Sequence, residues 1–66
     1  MKITLNGETR EVDGEPSLFD LLAAAGYQDK RVAVEINRRI VPKSTHAEVR
    51  VREGDRIEIV HAIGGG

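Results

Sequence analysis

Ser17-Leu18-Phe19-Asp20-Leu21-Leu22-Ala23-Ala24-Ala25-Gly26 is the stretch whose reading decides the fold. Leu18, Leu21, Leu22 and Ala25 recur at i, i+3, i+4 and i+7, which draws one apolar stripe along a helix. Asp20 and Ala24 lie off the stripe and Phe19 sits at its margin. Ser17 stands where an N-cap belongs, with Asp20 three residues on in the manner of a capping box, so the helix starts at about Ser17. Gly26 supplies the stop. Asp20 also suits the positive end of a helix dipole, and calcium would want a denser oxygen set than Asp13, Glu15 and Asp20 offer. No other segment reads as a convincing helix, so this one stripe must pack on a sheet.

The flanks supply that sheet. Before the helix, Met1, Ile3 and Leu5 alternate with Lys2 and Thr4, and Asn6-Gly7 is a strong two-residue hairpin turn. With Asn6 and Gly7 as the turn residues, Lys2 faces Glu11 as an opposite-charge pair and Arg10 faces Ile3. An arginine opposite a core isoleucine fits an edge strand, where the stem covers apolar surface and the head reaches water. Asp13-Gly14-Glu15-Pro16 is loop chemistry leading into the helix.

After the helix, Val32, Val34 and Ile36 alternate with Ala33, Glu35 and Asn37. Asn37-Arg38-Arg39 reads as a turn into a short Ile40-Val41 strand that Pro42 ends. Residues 43–48 have no clear period and are expected to be irregular, with at most one helical turn. Val49 and Val51 resume alternation, Glu53-Gly54-Asp55 turns the chain, and Ile57, Ile59 and Val60 form a last strand. The order strand, strand, helix, strands predicts an α+β fold: a mixed four- to five-stranded sheet with one main helix packed on one face. No repeat or linker interrupts it, which predicts a single domain over residues 1–66.

Composition narrows the function. Sixty-six residues hide only about 60% of their unfolded surface, and a core this small can hardly surround the roughly 300 Å³ of an ordinary ligand pocket, which argues against an enzyme with its own cleft. Ten Lys and Arg against eleven Asp and Glu, interspersed, with one Tyr and one Phe to stack on bases, argue against nucleic-acid binding. The chain has no cysteine, and its two histidines fall short of a structural zinc set. His46 and His61 are expected to be surface or partly packed side chains, and Arg38-Arg39 a solvated bend. Residues 1–6 lack the features of a secretory leader, and no segment approaches the roughly 20 apolar residues of a membrane span. The expectation is a soluble, cytoplasmic chain, monomeric when free.

The last strand runs into Ala62-Ile63-Gly64-Gly65-Gly66, expected to be a flexible C-terminal tail over 62–66. Its glycines have no side chain that could pack or catalyse, so any chemistry belongs to the backbone and to the Gly66 carboxylate.

Taken together, the Asn6-Gly7 hairpin, the capped helix with Leu21-Leu22, Val32-Ala33-Val34-Glu35-Ile36-Asn37, Ile40-Val41-Pro42, Gly54-Asp55 and Ile63-Gly64-Gly65-Gly66 resemble the ThiS family of thiamine-biosynthesis sulfur carriers. The likeness covers the whole chain. It implies a ubiquitin-like β-grasp, in which the first and last strands lie side by side and parallel in the sheet centre. It also implies a mechanism. A ThiF-like adenylyltransferase would convert the Gly66 carboxylate to an acyl adenylate, and sulfur drawn from cysteine by a cysteine desulfurase would replace AMP to leave a thiocarboxylate. The tail would then enter a ThiG-like thiazole synthase, which takes the sulfur.

On this resemblance the chain is a protein co-substrate, with no catalytic residue and no cofactor of its own; ATP and magnesium belong to the activating partner. Gly64 and Gly65 would thread a narrow channel, with Ile63 as an apolar anchor at its mouth. The small subunit of molybdopterin synthase has a similar fold and diglycine ending, but is usually longer and often carries prolines just before the last glycines, which His61-Ala62-Ile63 lacks. A third reading is a ubiquitin-like interaction module with an inert tail. One departure from the family is His46, where many members carry an aromatic residue, often tryptophan.

Overall fold

A computed structural model describes residues 1–28 and 30–61. Strands β1 (Lys2–Leu5) and β2 (Glu8–Glu11) form the first hairpin and are followed by helix α1 (Leu18–Ala24). Strands β3 (Val32–Ile36) and β4 (Arg39–Val41) form a second hairpin, a single 3-10 turn spans Lys43–Thr45, and β5 (Arg56–His61) closes the order. The five strands make one sheet in the order β2-β1-β5-β3-β4. β1 and β5 run parallel, and the other pairs are antiparallel. The expected α+β sheet has five strands, and its first and last strands are neighbours, as the ThiS resemblance implies.

Turn chemistry sets both hairpins. Asn6 and Gly7 have φ of 51° and 84°, the two left-handed residues of a turn whose twist matches the flanking strands. Lys2 therefore faces Glu11 and Ile3 faces Arg10, as the two-residue turn requires. The two charges opposite one another make no ion pair; among the described residues only Arg56 and Glu58 do, at 3.1 Å. β2 is an edge strand exposed along its whole length. In the second hairpin the turn residues are Asn37 (φ 51°) and Arg38 (φ 70°), and Arg39 already belongs to β4. Asparagine tolerates the left-handed region because its side chain can bond locally; arginine has no such compensation.

α1 is built as its sequence directs. The Asp20 N–H donates to Ser17 Oγ at 3.1 Å, the serine half of a capping box. The chain's own backbone supplies the stop: Tyr27 N–H donates to Leu22 O at 2.8 Å and Gly26 N–H to Ala23 O at 3.1 Å, with Gly26 at φ 91°. This is the glycine-terminated pattern that satisfies the last helical carbonyls. Leu18, Leu21 and Leu22 are buried, and Phe19 is 53% exposed.

The core lies between α1 and the sheet, made of Ile3, Leu5, Leu18, Leu21, Leu22, Val34, Val51, Ile57 and Ile59. Two expectations need correction. The alternation at Val49 and Val51 is not a strand. Arg50 forms only an isolated bridge with Ser17, where Leu18 N–H donates to Val49 O and Val51 N–H to Pro16 O, both at 2.8–2.9 Å. That segment straps the helix entry, and Val51 is fully buried because it plugs the core from outside the sheet. His46, expected to be a surface or partly packed side chain, is packed more deeply than that: it is 5% exposed, and its Nε2 lies 3.0 Å from Val41 O. Since a carbonyl can only accept, Nε2 carries the proton.

Candidate functional site: the end of strand β5

Ile63, Gly64, Gly65 and Gly66, with the roles expected of them, and the expected tail over 62–66 lie outside the described residues. What is described is the base from which that tail departs, the C-terminal end of β5. β5 is the central strand, with β3 on one side and β1 on the other. On one side it pairs with β3 from Ile36↔Ile57 to Val32↔His61. On the other, β1 pairs with it only through Thr4↔Arg56 and Leu5↔Ile57.

Asn6 lengthens that second ladder past the end of β1. Its N–H donates to Ile57 O at 2.9 Å, and its Oδ1 accepts from Ile59 N at 2.7 Å. A side chain thus takes the place of the next backbone carbonyl. Asn37 does similar work at the other end of β5: its N–H donates to Arg56 O at 2.8 Å, its Oδ1 accepts from Arg56 N at 2.9 Å, and its Nδ2 donates to Asp55 Oδ1 at 3.1 Å. Both asparagines also carry positive φ. Their turn role is legible in the sequence, whereas their grip on β5 needs the parallel β1–β5 pairing that no local pattern reveals. The Asn-before-turn signal was present and pointed only to the turn.

The two faces at the end of β5 differ. On the helix side Ile59 is buried, and the His61 ring lies 6.0 Å from the Tyr27 ring, tilted by 42°. On the outer side, Val60 is 59% exposed beside its cross-strand partner Ala33, and Ile40, 76% exposed, stands opposite Glu35. Glu35 and Glu58 face each other between these apolar positions, with Arg56 Nε 3.1 Å from Glu58 Oε1. The result is an outer face in which Val60, Ala33 and Ile40 stand around Glu35 and the paired Arg56 and Glu58. Val60 and Ile40 are exposed apolar side chains that the sequence reading did not single out. Arg38 and Arg39 are exposed in the adjoining turn.

Among the described residues no group of three or more His, Cys, Asp or Glu could hold a metal ion, and no helix is long and apolar enough to cross a membrane.

The model of the ThiS family matches residues 3–66, from the second residue of β1 through the last residue of the chain. The chain belongs to the ThiS family. A sulfur carrier protein ThiS from Bacillus subtilis is 47% identical over 50 residues, covering 76% of each chain. A thiazole synthase from Paramagnetospirillum magneticum is 47% identical over all 66 residues, and there the ThiS-family chain spans only 20% of its relative's length. In three dimensions, the crystal structure of the ThiS thiamine biosynthesis protein from Geobacter metallireducens matches the whole of this chain, and is itself wholly covered, with a TM-score of 0.86 at 32% identity. The β-grasp of the ThiS family is therefore the fold of this chain.

Proposed function

We propose that this chain is the sulfur carrier for thiazole formation in thiamine biosynthesis, with the Gly66 carboxylate as the group that bears the sulfur. The observation that carries this reading is the match to the ThiS family through residue 66, on a fold whose central strand β5 leads into the Ile63-Gly64-Gly65-Gly66 segment. The sulfur carrier protein of Bacillus subtilis supports the carrier role, and the thiazole synthase of Paramagnetospirillum magneticum, one part of which is similar to this chain, supports the acceptor.

The chemistry follows from what a carboxylate lacks. Its negative charge repels a nucleophile and its oxygen is a poor leaving group, so it must first be activated. A ThiF-like adenylyltransferase joins the Gly66 carboxylate to the α-phosphorus of ATP, with pyrophosphate leaving and magnesium held by that partner. A sulfur nucleophile originating from cysteine through a desulfurase then attacks the acyl carbon. The bond to the adenylate oxygen breaks and AMP departs with one former carboxylate oxygen; because the sulfur arrives as a persulfide, a thiol then cleaves the resulting acyl disulfide, being oxidised to a disulfide itself and leaving the thiocarboxylate. Without Cβ atoms, Gly64, Gly65 and Gly66 can thread a channel closed to other residues, while Ile63 anchors at its mouth. On this reading the chain is a co-substrate of its partners rather than an enzyme, and the outer face around Val60 and Ile40 is the docking surface that delivers the tail.

Reconstitution with thiazole synthase, the activating enzyme, ATP and a cysteine-derived sulfur source tests the reading: thiazole should form with the full chain and fail to form when Gly65 and Gly66 are deleted. A pull-down should retain a ThiG-like thiazole synthase and not the large subunit of molybdopterin synthase. Preference for the latter would overturn the pathway assignment.

A further inference from the structure

On the face opposite the outer sheet surface, between α1, the start of β3 and the 3-10 turn, lies a cleft of about 160 Å³ that the sulfur-carrier reading leaves unused. Phe19, Leu22, Tyr27, Val32 and His46 are among the residues that line it. The chain has a single Phe and a single Tyr, and both line this one cleft. Phe19 is more than half exposed, off the stripe that α1 buries. An aromatic in that place does nothing for the core, and aromatic side chains around a pocket are a mark of protein interfaces.

Charge says what kind of partner fits. Lys30 and Lys43, both exposed, are among the residues that line the cleft, and among the described residues no acidic side chain lines it, although the chain as a whole has more acidic than basic residues. Neither lysine makes an ion pair among the described residues. The volume is about half of the smallest ordinary small-molecule site, and matches a single apolar side chain of leucine or phenylalanine size. We propose that this cleft is a second docking site, for a protein segment that inserts one such apolar side chain and flanks it with carboxylates that meet Lys30 and Lys43. An anchor residue in a desolvated pocket with charges on the rim is the usual division between affinity and steering.

The proposal stands apart from sulfur transfer and is tested without it. The probe is a blocked pentapeptide of one phenylalanine with two aspartates on each side, titrated to millimolar concentration into the full, isotopically labelled chain and followed by amide NMR. Saturable shifts are expected at Leu22, Ala23, Tyr27 and His46, with Ala33, Ile40 and Val60 unmoved. Replacing the peptide's phenylalanine by alanine should abolish them, and the exposed double variant Lys30→Glu with Lys43→Glu, its spectrum otherwise that of the folded chain, should bind about fivefold or more weakly. The proposal is overturned if the cleft amides do not move, if the shifts fall on the outer sheet face, or if a lysine-flanked peptide binds equally well. It is also overturned if the same amides shift with protein concentration alone, which would make a second copy of this chain the occupant.

Discussion

Asn6 Oδ1 accepts a 2.7 Å hydrogen bond from the backbone N–H of Ile59, fifty-three residues away, and so ties the tip of the first hairpin to the strand that leads into the tail. The contact is partly buried, and Asn6 also occupies the left-handed region at φ 51°. Two substitutions separate the two roles. Asn6→Gly keeps the turn and leaves the Ile59 N–H without its partner, which should cost about 1–2 kcal/mol. Asn6→Ala loses the bond and strains the turn, adding about 1 kcal/mol more. Chemical denaturation measures both, and equal stability of Asn6→Gly and the parent would mean that the side-chain contact contributes nothing.

Gly26 ends α1 at φ 91°, and a Cβ placed there would meet nothing within 4 Å. A Gly26→Ala change therefore creates no clash, and its cost is purely conformational, about 1–2 kcal/mol. For a domain of this size that is a fall in Tm of roughly 4–8 °C per kcal/mol, readable by calorimetry. An unchanged Tm would show that the glycine-terminated helix end is not held as described.

Val51 is fully buried although it belongs to no strand, and Val49 is only partly buried against the same core. Val51→Ala should cost about 2–3 kcal/mol and Val49→Ala about 1 kcal/mol or less. A regular half-buried strand facing both valines inward would make the two costs equal, so urea denaturation of the pair checks the correction to the sequence-based expectation.

Val60 and Ile40 are the exposed apolar residues of the outer face. Val60→Asp and Ile40→Asp should each leave stability within about 0.5 kcal/mol of the parent, as surface changes do. Each should weaken binding to thiazole synthase about tenfold, because loss of a central apolar contact typically costs more than 1 kcal/mol. Titration calorimetry with the folded variants reads this directly; unchanged affinity would move the docking surface elsewhere.

The helix and both hairpins were legible because their signals are local. The stripe of Leu18, Leu21 and Leu22, the Ser17 cap, the Gly26 stop and the Asn6-Gly7 turn each depend on residues within a few positions, and the register Ile3↔Arg10 follows from the turn length alone. The parallel neighbour relation of β1 and β5 joins the two ends of the described chain and leaves no periodic trace, so only family resemblance supplied it. Val51 misled because alternation reports burial on one side, and a strap over the helix entry alternates as a strand does. His46 misled because its surroundings in sequence are polar, while the carbonyl that satisfies it, Val41 O, is contributed by β4. The glycine tail was read from chemistry rather than from structure, and Gly66 is the residue to which the proposed function assigns the sulfur.

Intact-mass measurement is the most direct test of that role. The chain, incubated with its activating enzyme, ATP and a sulfur donor, should gain the mass difference between one sulfur and one oxygen. The gain should map to the fragment ending at Gly66 and be lost when Gly65 and Gly66 are deleted, while Gly65→Ala should slow it with little effect on Tm. No oxygen-for-sulfur exchange in the parent, or an exchange that survives deletion of Gly65 and Gly66, would contradict the assignment of this chain as a sulfur carrier acting through its Gly66 carboxylate.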